Sequence, residues 1–342
     1  MSRGKIISNS VFIIAEIGQA HDGSLGILHS YIDAVAQTGA DAIKFQTHIA
    51  EAESSIHEPF RVNFSYEDKT RYDYWQRMEF TLEQWRGIKQ HCEDVNLEFI
   101  SSPFSCAAVD LLEEIGVKRY KIGSGEVNNF LLLDKIAATG KDILLSSGMS
   151  SFKELDKTVE FLLKKDVNLS IFQCTTSYPT PAERIGLNLI QELKERYTVP
   201  VGLSDHSGTI WPSLSATSLG AELLEVHVTF DKAIFGPDSS SSLTINELSQ
   251  LITGIRYTES MLNNKVNKND LAPYQDLKNI FEKSLAISRD LPAGHILKVE
   301  DLESKKPASF GIPCSNFEAV LGKTLKNSMH AYDFLNESDL ED

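Results

Sequence analysis

Short apolar, β-branched runs alternate with amphipathic stretches eight times along this chain: FIIAEIG (12–18), AIKFQTH (42–48), EFISSPF (98–104), RYKIGSGE (119–126), DILLSSG (142–148), LSIFQCT (169–175), PVGLSDH (200–206) and LLEVHVT (223–229). The stretches between them, such as LHSYIDAVAQTG, AVDLLEEIG, ELDKTVEFLLKK and LNLIQELKERY, carry apolar residues at helical spacing, and several end in glycine. Strict alternation implies a parallel sheet, because parallel neighbours need a crossover long enough to hold a helix. Eight units over roughly 250 residues fit a closed barrel better than an open doubly wound sheet. The first strand also lacks the GxGxxG turn of a dinucleotide fold. The expected fold class is therefore α/β, a (β/α)8 TIM barrel. A longer polar and aromatic segment, residues 51–80, separates the second and third runs and is predicted to be a loop or hairpin over the barrel mouth.

After the helical pattern ending near Met261 the chain turns polar, and NNKVNKNDLAPYQDLKN reads as a linker. The 342-residue chain thus divides into a barrel over 1–264, a linker over 265–280 and a small β-rich module over 281–342. That module is short enough to gain from docking on a partner. Hydrophobic residues make up 42% and charged residues 24%, enough to bury a sizeable core. The formal net charge of −15 opposes phosphate-backbone contact and argues against nucleic acid as a partner. Cys92, Cys106, Cys174 and Cys314 are scattered without CxxC spacing, the pattern of reduced thiols. No apolar run reaches membrane-spanning length and the N-terminus lacks a signal-peptide pattern, so a cytoplasmic protein is expected.

Catalytic groups of a (β/α)8 barrel gather at the C-terminal strand ends, and here those ends are polar. Strand one is predicted to end in Glu16, two in Lys44 and Gln46, four in Lys121, Ser124 and Glu126, five in Ser146 and Ser147, seven in Asp205 and His206, and eight in His227. His206 and His227 close consecutive strands, so their imidazoles can share one divalent ion, with Glu16 across the mouth. As a bare pair they could equally be hydrogen-bonded barrel histidines. Imidazoles and a carboxylate with open water positions suit a hard or borderline ion better than a closed zinc site. Lys44 and Lys121 lie within apolar runs, point inward and must meet an anionic partner. With Ser124, Ser146 and Ser147 they outline a phosphate or carboxylate site, and the GSGE turn at 123–126 adds small residues beside it. Tyr178 in the YPTP turn and Asp238 in the GPD turn could bond a polyol, or simply serve those turns.

Taken together, AEIGQAHDGS, DAIKFQTH, SSPFS, YKIGSGE, LSSGM, YPTP, GLSDHSG, EVHVT and GPD follow the order and spacing of the N-acetylneuraminate (sialic acid) synthase family, which the chain resembles over nearly its whole length. The tail SRDLPAGHILKVEDLESKKP resembles that family's C-terminal antifreeze-like (SAF) domain, which in relatives is swapped across a homodimer to cover the partner's barrel. The resemblance implies a transferase that condenses phosphoenolpyruvate with the open-chain aldehyde of N-acetylmannosamine or a related N-acylated hexosamine, giving a nonulosonic acid and phosphate. It implies a divalent metal, manganese in relatives, with Mg2+ or Co2+ as alternatives, held by His206 and His227, and a carboxylate, Glu16, that positions or deprotonates water. Lys44, Lys121, Ser124 and Ser146 match the family's phosphoenolpyruvate contacts, and Gln46, Glu126, Tyr178 and Asp238 its metal and sugar side.

Departures fall mainly on the sugar side. Thr176 and Ala20 stand where relatives commonly have asparagine, and Lys306 stands where an arginine contacts the N-acyl group in relatives. Lysine keeps the charge without the planar fork, so a 6-deoxy-diacetamido hexose leading to a legionaminic or pseudaminic type product is an alternative acceptor. Two further readings stay open: a Schiff-base pyruvate aldolase using Lys121, and a non-catalytic sugar-binding protein.

Overall fold

The computed structural model describes residues 10–62 and 64–341, so the N-terminal pattern over 1–9 lies outside the described residues. The first unit, Met1–Asn264, is built from β1 (Phe12–Glu16), α1 (Leu25–Ala36), β2 (Ala42–Thr47), α2 (Ala50–Glu53), α3 (Arg71–Met78), α4 (Leu82–Asp94), β3 (Glu98–Pro103), α5 (Cys106–Ile115), β4 (Arg119–Ile122), α6 (Phe130–Ala137), β5 (Asp142–Ser146), α7 (Phe152–Lys164), β6 (Leu169–Cys174), α8 (Asn188–Tyr197), β7 (Val201–Asp205), α9 (Trp211–Ser218), β8 (Leu223–Thr229), a short β9 (Leu243–Thr244) and α10 (Ile245–Asn263). Strands β1 to β8 pair in sequence order, all parallel, and β1 also pairs with β8, so the sheet closes into a (β/α)8 barrel.

Side-chain alternation sorts the strands into layers. Ile14, Ala42, Ile100, Leu144, Phe172 and Leu223 form an apolar cluster inside the barrel, while Ile13, Ile43, Phe99, Leu145, Ile171 and Val226 face the helices. Two residues further along each strand, the period of a strand returns the chain to the interior. There stand Glu16, Lys44, Ser102, Ser146, Cys174 and Glu225, all buried. The register places Glu16 between Lys44 on one neighbour and His227 on the other. Helix starts are set by Ser24, Thr81, Ser105, Asn129, Ser151 and Thr244, each accepting a backbone N–H of the first turn.

Two expectations need correction. The 51–80 insert is neither a plain loop nor a hairpin: α2 and α3 form within it, because Thr70 and Asp73 make a reciprocal capping box and Tyr74, Trp75 and Met78 share one buried face against Ala50, Phe60 and Phe64. Strand β4 stops at Ile122, so Ser124 and Glu126 ride on a one-turn 3-10 helix beyond it.

The second unit, Lys265–Asp342, is described by itself. A helical turn at Ala272–Tyr274 and α11 (Gln275–Phe281) occupy much of the stretch read as linker. Antiparallel β10 (Ser284–Ile287) and β11 (Leu302–Lys305), with isolated bridges, enclose a core that includes Leu285, Ile287, Leu297 and Leu335. Lys306 stacks its ammonium 4.9 Å from the Phe281 ring within this unit. Among the described residues no helix is long and apolar enough to cross a membrane, and all four cysteines are unpaired.

Candidate active site

At the C-terminal strand ends the barrel opens into a cavity of about 400 Å³. Eleven of the sequence-selected residues line it: Glu16, Lys44, Gln46, Lys121, Ser124, Glu126, Ser146, Tyr178, His206, His227 and Asp238. Ser147 and Asp205 are buried beside it but not among its lining, with Asp205 accepting from the Ser207 N–H at 2.8 Å.

The floor is a compensated charge cluster. Lys44 Nζ lies 2.8 Å from Glu16 Oε2 and 3.8 Å from Glu225 Oε1, and Lys121 Nζ lies 3.3 Å from Glu225 Oε1 and donates to Ser146 Oγ at 2.6 Å. Burial opposes the charge on Lys44, but Glu16 and Glu225 overcome it and hold its pKa above the usual lysine value. For Lys121 burial prevails over Glu225 and lowers the pKa. Burial would raise the Glu225 carboxyl, yet Lys121 and Lys44 together hold it low. The convergence of Ser124 and Thr176 depends on Gly148: a Cβ there would sit 2.4 Å from both hydroxyl oxygens. Glycine is required at this point rather than at Gly125, whose Cβ would meet open space.

Opposite the lysines stand the histidines, their ring centres 5.2 Å apart. His206 Nδ1 lies 3.0 Å from the Thr175 carbonyl and must donate to it, which leaves the Nε2 lone pair facing the Tyr178 hydroxyl at 3.2 Å. Burial opposes a charge on His206, but the Cys174 thiol and the Thr175 carbonyl outweigh it and raise its pKa. Burial pushes His227 down, against the pull of Asp238, whose Oδ2 lies 3.9 Å from His227 Nδ1. Gln46 donates to Glu16 Oε1 at 2.7 Å. Among the described residues no three or more His, Cys, Asp or Glu side chains are assembled for a metal ion. A divalent ion here would therefore take two imidazoles from the barrel and its other ligands from water or substrate. The fixed His206 tautomer, with a carbonyl behind the ring and a lone pair facing the cavity, fits that role.

Comparison with known proteins adds a decisive observation: the NeuB family model matches residues 31–267, more than half of the chain. The chain belongs to the NeuB family. A SAF domain match over residues 282–341 follows it. The N,N'-diacetyllegionaminic acid synthase of Campylobacter jejuni is 34% identical over 95% of this chain and 98% of its own. The human N-acetylneuraminate-9-phosphate synthase is 32% identical over 95% and 91%. Among solved structures, the N-acetylneuraminic acid synthetase of Leptospira borgpetersenii superposes with a TM-score of 0.71 at 33% identity, covering 81% of this chain and 94% of that one.

Among the residues lining this NeuB cavity that escaped the sequence reading are Glu225, Ser102, Cys174, Ser204 and Arg61. The first had a signal. In LLEVHVT, Glu225 precedes His227 by two, the strand period, so a histidine facing inward implies a glutamate facing inward. Ser102, Cys174 and Ser204 obey the same rule on their own strands. Arg61 had none, since its place depends on how the insert folds.

Proposed function

We propose that this NeuB-family chain is a nonulosonic acid synthase that condenses phosphoenolpyruvate with the open-chain aldehyde of an N-acylated hexosamine, releasing phosphate by C–O cleavage. The observation that carries this reading is the pairing, in one cavity, of a buried lysine and serine floor with two histidines. Lys44, Lys121, Ser146 and Ser124 suit the phosphate and carboxylate of phosphoenolpyruvate, whose negative charge would take over the ammonium groups from Glu16 and Glu225. His206 and His227 would hold a divalent ion, manganese first, which when bound supplies Lewis acidity to the aldehyde oxygen.

With both substrates held, C3 of phosphoenolpyruvate is placed to attack the aldehyde carbon, and water adds to C2 as the C–O bond to phosphate breaks. Glu16, in register with His227 on the neighbouring strand and oriented by Gln46 and Lys44, would position that water or take its proton. The lysines grip the departing phosphate. Tyr178, Glu126, Gln46 and Asp238 line the acceptor side. A homodimer in which the SAF domain, with Lys306, covers the partner's barrel belongs to this proposal, as does a cytoplasmic location suited to unpaired thiols.

Full-length protein should release phosphate only when phosphoenolpyruvate and an N-acylated hexosamine are both present, and should lose that activity on chelation. A panel containing N-acetylmannosamine and 6-deoxy-diacetamido hexoses identifies the acceptor. Phosphate release at full rate from metal-free His206→Ala protein would contradict the metal role. The lowered pKa of Lys121 gives one observation to a second reading, a Schiff-base aldolase. Borohydride trapping of pyruvate on Lys121 would favour it.

A further inference from the structure

Two lining cations, Arg61 and Arg71, come from the insert rather than from a strand or strand-end turn. Arg61 sits between α2 and α3 and reaches two separate parts of the barrel mouth. Its Nη2 donates to Asp238 Oδ1 at 2.7 Å, beyond β8, and its guanidinium carbon lies 4.2 Å from the centre of the Tyr178 ring, beyond β6. Those two residues face the histidines, Tyr178 at 3.2 Å from His206 and Asp238 at 3.9 Å from His227. Arg61 therefore stands one contact away from each histidine, on the side opposite the lysine floor.

Its donors are only partly used. The bond to Asp238 takes one of several guanidinium N–H groups, while the side chain remains 41% exposed and lines the cavity. Its charge, by contrast, is already matched. Each lining cation has a carboxylate neighbour: Arg61 with Asp238, Arg71 with Glu58 at 3.2 Å, Lys44 with Glu16 and Lys121 with Glu225. Six lining carboxylates face four lining lysines and arginines, so even with a divalent ion on the histidines the lining has no positive charge in excess, and bound phosphoenolpyruvate adds negative charge of its own. A second phosphate brought in on the sugar would meet repulsion, whereas hydroxyl or amide oxygens need only N–H donors and no net positive charge.

We propose that Arg61 determines acceptor specificity, presenting charge-compensated N–H donors to the hydroxyl or amide oxygens of an uncharged sugar and selecting against a sugar phosphate. The inference rests on the reaction proposed above and adds a residue and a substrate class to it. The test uses full-length protein, phosphoenolpyruvate and whichever panel sugar the wild type turns over. Arg61→Ala is expected to raise the acceptor KM by about tenfold or more, the loss of a hydrogen bond from a charged group, with the phosphoenolpyruvate KM moving by less than about twofold. Arg61→Lys, which keeps charge but not the fork, should fall between the two. A general loosening of the mouth would instead shift both KM values together or lower the melting temperature. N-acetylmannosamine 6-phosphate should show a lower kcat/KM than N-acetylmannosamine. An acceptor KM unmoved in Arg61→Ala, joint movement of both KM values, or preference for the phosphorylated sugar overturns the assignment while leaving the reaction intact. Absence of turnover by the wild type with every sugar would remove the reaction and this inference with it.

Discussion

Glu225 is, among the described residues, the one carboxylate that pairs with both buried lysines, 3.8 Å from Lys44 and 3.3 Å from Lys121. A lysine buried without a counter-charge is strongly disfavoured, and two buried lysines share the barrel interior here, with Glu225 the nearest carboxylate to Lys121. Glu225→Gln should therefore cost about 3 kcal/mol of stability, the lower end for breaking a buried ion pair by removing one partner. Chemical denaturation measures it, and a loss below about 1 kcal/mol, the scale of an exposed pair, would show that Glu16 alone compensates the floor. The need for such a partner is legible in the sequence, because apolar neighbours on both sides of Lys44 and Lys121 force the ammonium groups inward. Its identity is legible only through the strand period that links it to His227. Arg61 lies at the opposite extreme: nothing in EPFRVNF distinguishes a rim arginine from a solvated one, since the contacts that give it a role come from residues more than a hundred positions away.

At the level of elements, the strands are easier to read than the turns beyond them. Each run of β-branched residues maps onto a strand because a barrel strand is buried on both faces and reads as nearly continuous apolar sequence. The turns obey local chemistry that leaves weaker traces. GSGE looks like the end of a strand, yet the backbone leaves the sheet at Gly123 and coils into a 3-10 turn that carries Ser124 and Glu126 toward the cavity. The insert is similar. Its aromatic residues suggest an exposed flap, but Trp75 and Tyr74 are buried, and His48 at the end of β2 stacks between Trp75, 3.9 Å away, and Phe104, 4.6 Å away. That stack ties α3 to the loop after β3, so the insert that carries Arg61 is anchored to the barrel by a face of its own. The capping pair Thr70 and Asp73 is visible in the sequence and marks a helix start; hydrophobic spacing over so short a helix is too brief to do so alone.

For the whole molecule, the two units follow from the length and the polar break after α10. The proposed homodimer predicts sedimentation at twice the 38.1 kDa chain mass; a monomer would remove the partner's SAF domain from the site. The net charge of −15 repels anions at a distance, so the interior floor must supply the local attraction. That floor has a further property. Burial holds Lys121 below the usual lysine value, and Glu225 is held as a carboxylate chiefly by the lysines around it. An anion seated on the floor favours the protonated form of Lys121, so its titration curve moves upward on binding and the protein takes up a proton. Affinity should then rise as pH falls through the range in which Lys121 titrates. Sulfate, which does not titrate near neutrality, isolates the effect: on the alkaline side of neutrality, its calorimetric binding enthalpy should vary with the ionisation enthalpy of the buffer in the direction of uptake. An enthalpy independent of buffer would mean that the floor is fully protonated before any ligand arrives. The ion cluster at the bottom of the cavity would thus do more than balance charge, since it couples anion capture to the proton concentration of the surrounding solution.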